Sequence, residues 1–160
     1  MEIYDSLLGA VCDEYDRVTL IKKSERGEVT LIRHRASGNR YIFRHFSGSS
    51  EVYRKLLTIS CPNLPQIMEV GEKEGKTALL EEYVQGDTLG EILQGGLLTA
   101  AQAKQITRQL CMALWVLHSL GVVHRDVKPD NVIIRGTEAV LIDFDASRIY
   151  KNENREDTQI

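Results

Sequence analysis

Along the first half of the chain, apolar and β-branched residues come in short runs separated by polar turns. Residues 18–22 and 29–33 cluster β-formers on either side of Lys23-Ser24-Glu25-Arg26-Gly27, which predicts two strands joined by a hairpin turn. Ser37-Gly38-Asn39 is a second turn signal, and Tyr41-Ile42-Phe43 opens a third strand. Ser49-Ser50-Glu51 then predicts the start of a helix running to about residue 59. Cys61-Pro62-Asn63-Leu64-Pro65 ends it, because proline lacks the amide hydrogen and its ring clashes with the preceding turn. Residues 67–71 and 77–84 read as a second hairpin around Lys73-Glu74-Gly75-Lys76.

The second half changes period. Thr88-x-x-Glu91 and Thr99-x-x-Gln102 both fit a capping box, in which two side chains satisfy orphan amides at a helix start. From Thr99 onward, Ile106, Leu110, Ala113, Leu114, Leu117 and Leu120 recur at helical spacing, and Gly121 supplies the stop. A loop, a short strand at 132–134, a turn at Arg135-Gly136-Thr137 and a strand at 139–142 follow. The expected architecture is α+β, with a strand-rich part over residues 1–85 and a helix-rich part over 86–160, divided near Gly86.

Composition adds mainly exclusions. The 160 residues are 42% hydrophobic and 27% charged, the balance of an ordinary globular domain. A net charge of −3 gives no bulk attraction to nucleic acid or anionic lipid. Cys12, Cys61 and Cys111 form no CxxC pair and cannot all pair with one another. They read as reduced core thiols of a cytoplasmic protein. The acidic start, Glu2 and Asp5, is unlike a signal peptide, and the longest apolar region, 110–123, is broken by His118 and too short to span a bilayer. No membrane segment is therefore expected in this chain.

Candidate chemistry concentrates in two places. His124-Arg125-Asp126-Val127-Lys128-Pro129-Asp130-Asn131 places a carboxylate, an ammonium and an amide in one short loop. Leu141-Ile142-Asp143-Phe144-Asp145 then places carboxylates at the end of an apolar strand. A lone Asp-x-x-x-x-Asn is usually loop capping. The full eight-residue run followed by Asp-Phe is far more specific. Together the two segments resemble the H-R-D-x-x-x-x-N catalytic loop and the D-F-G element of protein kinases, with Asp145 where the family has glycine. Asp126-x-Lys128 is similar to the Ser/Thr type, and the short loops resemble compact bacterial members.

The resemblance runs from about residue 15 to 149 and carries implications residue by residue. It implies a two-lobe kinase fold, truncated to a β-rich N-lobe with one helix and the first helices and catalytic loop of the C-lobe. Asp126 would accept the proton of the attacking hydroxyl, and Lys128 would neutralise the γ-phosphate of ATP. Asn131 and Asp143 would hold Mg²⁺. Arg125 is the loop arginine that pairs with a phosphorylated activation segment in many family members. Arg44 falls where the family has the lysine that grips the α- and β-phosphates; a surface cation on a strand is an equal reading. Glu51 looks like the glutamate that pairs with that cation, and would also suit the helix dipole.

Gly27 and Val29 align with the phosphate-covering loop, although the segment alone reads as a hairpin turn. Backbone groups of Glu82 and Val84 would meet adenine, with Glu81 as the gatekeeper between them and the interior. Ile42 and Val29 would form the roof and Ile133 the floor; as apolar residues they suit a core equally well.

Two functions compete. One is a Ser/Thr protein kinase acting on protein hydroxyls, with this stretch alone inactive. The other is a pseudokinase-type nucleotide-binding or scaffold module, suggested by Arg44, the Gly-poor loop and Asp145. A small-molecule kinase ranks below both, because such enzymes generally lack the Arg-Asp-x-Lys-Pro run. The chain stops early in what resembles the activation segment, where Thr158 is the candidate phosphosite. The helices that would follow are absent, so the stripe Ile106, Leu110, Leu114 and Leu117 is expected to be partly uncovered and to drive self-association.

Overall fold

The computed structural model describes residues 2–150. The Thr158 assignment lies outside the described residues. Five antiparallel strands form the first sheet: β1 (Tyr15–Ser24), β2 (Gly27–His34), β3 (Arg40–Ser47), β4 (Ile67–Lys73) and β5 (Lys76–Glu82), in the order β1-β2-β3-β5-β4. Strand alternation sends Tyr41 and Phe43 of β3 to one face and Ile42 and Arg44 to the other.

The first of these faces is covered by a helix that the sequence reading did not anticipate, α1 (Ile3–Glu14). Its Tyr4, Leu7 and Val11 recur at helical spacing and bury against Ile32, Phe43, Ala78 and Leu80. Tyr4 also hydrogen-bonds His45 Nε2 at 2.8 Å. Gly71 on β4 lets the helix approach: a Cβ there would lie 2.5 Å from the Tyr4 backbone. Gly71→Ala is therefore expected to cost about 1–3 kcal/mol. Thermal unfolding measures the loss, and limited proteolysis of the first 14 residues locates it.

α2 (Glu51–Leu56) is shorter than the sequence suggested. Beyond Gly86 come β6 (Asp87–Thr88), α3 (Leu89–Gln94) and α4 (Ala100–Ser119). They are followed by β7 (Val122–Val123), a 3₁₀ turn (Pro129–Asn131), β8 (Val132–Arg135), β9 (Glu138–Leu141) and β10 (Arg148–Ile149). β6, β8 and β9 form one small sheet, and β7 pairs with β10. Both capping boxes form as the sequence indicates. Glu91 N–H donates to Thr88 Oγ1 at 3.1 Å and Thr88 N–H donates to Glu91 Oε2 at 2.7 Å. The Thr99–Gln102 pair does the same at 3.2 and 2.9 Å.

A single apolar cluster joins the first sheet to the helical part. Tyr53, Leu56, Ile67 and Leu79 meet Leu89, Leu117, Val132, Leu141 and Phe144. Leu117 is fully buried there, so Leu117→Ala is expected to destabilise by about 2–5 kcal/mol in denaturant titration.

The stripe Ile106, Leu110, Leu114 and Leu117 is partly uncovered, as expected: Leu117 is fully buried in the cluster, while the other three are only partly buried against it. The outward apolar residues of α4 are Met112 and Trp115, the latter 68% exposed. One expectation needs correction: the cysteines are not core thiols. Cys12 and Cys111 are exposed and Cys61 is partly buried, all three free, because Cys12 and Cys111 occupy the outer faces of their helices. Among the described residues no helix is long and apolar enough to cross a membrane.

Candidate functional site

The loop between β7 and β8 carries the first group of candidates, and its shape is set by His124. This side chain is buried, and its Nε2 lies 3.0 Å from Ile142 O. Asp126 N–H donates to its Nδ1 at 3.2 Å, so the proton sits on Nε2 and is donated to the Ile142 carbonyl. Ser147 Oγ–H donates to His124 O at 3.2 Å. One histidine thus ties the loop to both sides of the Asp143-Phe144-Asp145 segment. Phe144 stacks edge-on between His124 (5.5 Å) and Tyr53 of α2 (6.2 Å). Arg125 (φ +70°) and Asp143 (φ +65°) adopt left-handed backbone, at a cost of about 1–3 kcal/mol each. Strain at these two points indicates a geometry that the surrounding contacts enforce.

Asp126, Lys128 and Asn131 come together. Lys128 Nζ lies 3.1 Å from Asp126 Oδ2, and Asn131 Nδ2 donates to the same oxygen at 3.0 Å and to Asp126 O at 2.9 Å. The hydrogen bond from Lys128, reinforced by its charge and by Asn131, holds the Asp126 carboxyl below the usual carboxylate range. At neutral pH it is therefore an ionised acceptor for a hydroxyl proton.

Asn131 O accepts from Ile142 N–H at 2.9 Å, which sets Asp143 beside the loop. Both side-chain bonds of Asn131 use Nδ2, so Oδ1 is left to ligate a cation. Asp143 Oδ1 accepts from Asp145 N–H at 3.1 Å, and its other oxygen is likewise left over. These two hard oxygen donors suit Mg²⁺, which usually takes one or two protein oxygens and completes its shell with phosphate and water. Among the described residues no three His, Cys, Asp or Glu side chains cluster as a metal site.

The second group surrounds Arg44, and here the expected pairing fails. Glu51 is exposed at the start of α2 and is not a partner of Arg44. Arg44 Nε instead donates to Glu81 Oε2 at 2.7 Å, and Nη1 lies 3.4 Å from Asp145 Oδ1. Arg44 and Glu81 are 6% and 2% exposed. Burial opposes the charge on Arg44, but Glu81 outweighs it and raises the pKa above its usual value. Asp145 also accepts from Lys22 Nζ at 2.8 Å. Burial pushes the Asp145 carboxyl up, but Lys22 and Arg44 together hold it below its ordinary range.

A cleft of about 490 Å³ opens here, lined among others by Gly27, Val29, Arg44, Glu51, Tyr53 and Asp145, but not by Asp126, Lys128, Asn131 or Asp143. The candidates for the adenine end (Ile42, Glu82, Val84 and Ile133) do not line it. Ile42 and Val84 are buried, and Ile133 sits in the middle of the small sheet opposite Thr88 and Val140. Glu82 N–H is taken by Gln66 O at 2.8 Å, so only its carbonyl can serve a ligand.

Three features went unread in the sequence: the His124 hub, the anchoring of Arg44 by Glu81, and the Lys22–Asp145 bridge. The last two join residues 37 and 123 positions apart, with no local periodicity to betray them. The available signal was chemical. Glu81 lies two positions beyond Leu79, the residue opposite Arg44 in the β3–β5 register, and so shares its face.

The chain is similar in sequence to curated protein kinases. Serine/threonine-protein kinase PknD of Mycobacterium tuberculosis is 30% identical over 155 residues, covering 88% of this chain and 23% of that protein. Testis-specific serine/threonine-protein kinase 3 of Mus musculus is 30% identical over 141 residues, covering 86% and 52%. Serine/threonine-protein kinase pkn2 of Myxococcus xanthus is 34% identical over 102 residues, covering 61% and 12%. The chain thus spans about half or less of the length of these curated relatives. In fold it is similar to Rad53 1–466 in complex with AMP-PNP, with a TM-score of 0.71 at 22% identity over 84% of this chain and 39% of that one. Residues 17–160, from β1 onward, match the family described as Protein kinase domain, and the chain belongs to that family.

Proposed function

We propose that the protein is a Ser/Thr protein kinase, transferring the γ-phosphate of ATP to protein hydroxyls through a complete two-lobe domain. The observation that carries this reading is the Asp126 carboxylate held by Lys128 and Asn131 beside Asp143. The substrate hydroxyl would donate its proton to Asp126 as its oxygen bonds to the γ-phosphorus and the bond to ADP breaks. Lys128, 3.1 Å from Asp126 Oδ2, would neutralise charge on the transferred group. Asn131 Oδ1 and Asp143 would hold Mg²⁺, which neutralises phosphate charge when bound. Gly27, Val29 and Arg44 would meet the phosphates in the cleft. Ile42, Val84, Ile133 and the Glu82 carbonyl would meet adenine outside that cleft. In this assignment residues 1–85 form the N-lobe and 86–160 begin the C-lobe. A cytoplasmic setting fits the three free thiols.

A nucleotide-binding scaffold with little catalysis is favoured by one observation, the Asp145 carboxylate among the cations of the phosphate end. ATP must break the Lys22–Asp145 bridge or lie beside a like charge. Asp145→Gly is therefore expected to raise ATP affinity by up to about fivefold, read by calorimetric titration. A fall in affinity would mean that Asp145 helps to hold the nucleotide. The bridge also has a pH sense: the lowered Asp145 pKa keeps it intact at neutral pH, and it is lost as pH falls through that lowered value.

Phosphate transfer to a generic Ser/Thr protein by the complete protein separates the two readings, since turnover sinks the scaffold and its absence sinks the kinase. We also propose self-association through α4, by Met112 and Trp115 together with the partly uncovered Ile106, Leu110 and Leu114. Sedimentation at increasing concentration would show association that Trp115→Ser weakens; a monomer throughout would refute it.

A further inference from the structure

Arg44 needs an anchor if it is to meet phosphate, because a buried guanidinium without a fixed carboxylate is costly and free to turn away. The resemblance placed that anchor on the helix, at Glu51. The geometry assigns it instead to Glu81, and we propose that Glu81 is the positioning residue for Arg44 at the phosphate end of the ATP site. This inference rests on the nucleotide-binding reading above.

Three observations support it. Glu81 is 2% exposed and accepts from Arg44 Nε at 2.7 Å, so it is held in one orientation. It lies on β5, the strand between β3 and β4, paired with Ile42 on one side and Ile67 on the other. The carboxylate therefore rides on the same rigid ladder as Arg44. By contrast, α2 is only six residues long and its Glu51 is exposed. The remaining partner of Arg44, Asp145, is at 3.4 Å with a side chain 39% exposed, and it is shared with Lys22. Arg44 is thus clamped from inside by a fixed anion and met from outside by an exchangeable one, the side from which a phosphate would arrive.

A consequence is that the inner anchor of the cation is set by the sheet, whereas α2 reaches only its outer partner, through Tyr53 Oη at 3.5 Å from Asp145 Oδ1.

The test compares Mg²⁺-ATP with adenosine, which lacks phosphates, in calorimetric titration of the chain and its variants. The unmodified chain should bind ATP more tightly than adenosine. Glu81→Gln should lower ATP affinity by about tenfold or more and leave adenosine affinity unchanged. Glu81→Asp keeps the buried charge while withdrawing it from contact. It should give the same selective loss should the glutamine variant fail to fold. Glu51→Gln should leave the preference for ATP over adenosine in place. The inference is overturned if the Glu81 variants keep the ATP preference, or if Glu51→Gln removes it. If the unmodified chain binds neither ligand, the nucleotide-binding reading itself fails and takes this inference with it.

Discussion

Asp126→Asn is expected to lower the rate of phosphate transfer by about 10²- to 10⁴-fold while ATP affinity stays nearly unchanged. In the proposed reaction this carboxylate takes the hydroxyl proton, and it is kept ionised by Lys128 and Asn131. Asparagine preserves the shape and can still meet Lys128 through its amide oxygen, so the loop should hold. Steady-state transfer rates and ATP titration of the same preparation separate the two effects. A variant that transfers phosphate at the unmodified rate would remove Asp126 from the reaction.

Glu81→Gln is expected to destabilise the fold by about 3–5 kcal/mol, because it leaves the Arg44 charge buried without its counter-ion. Arg44→Met/Glu81→Met replaces both partners by apolar side chains of similar volume and should recover most of that loss. Chemical denaturation of the single and double variants gives the coupling directly. If the single variant is as stable as the unmodified chain, the pair is not carrying the charge that its burial implies. The prediction concerns folding alone, so it stands whether or not the site binds nucleotide.

Much of the fold was legible because its signals are local. The hairpins of the first sheet announce themselves through β-formers and polar turns. The helices α3 and α4 announce themselves through Thr88-x-x-Glu91 and Thr99-x-x-Gln102, and each box closes as drawn. α1 escaped because its N-terminus at Glu2 makes no side-chain cap, although Tyr4, Leu7 and Val11 already carried the helical period. The end of α2 was overrun because the apolar residues beyond Leu56 continue the pattern while the backbone turns away. In the site, the catalytic loop could be read as a contiguous motif. The clamp on Arg44 could not, because it depends on β5 inserting between β3 and β4, a non-local choice of strand order. Proximity along the chain favoured Glu51, and proximity across the sheet favours Glu81. On α4 the apolar stripe was legible from its period and is partly buried against the cluster, whereas Met112 and Trp115 on the outward side gave no such signal.

The central claim is the proposal that ATP binds at the Arg44 cleft while Asn131 and Asp143 hold its metal. The direct measurement is thermal unfolding of the chain with ATP alone and with ATP plus Mg²⁺. A ligand that binds only the folded form stabilises it by about 2.7 kcal/mol at a concentration of 100 Kd. The account predicts that ATP raises the midpoint and that Mg²⁺ raises it further, with the extra rise lost in Asp143→Asn. A cooperative transition whose midpoint moves with neither would contradict it.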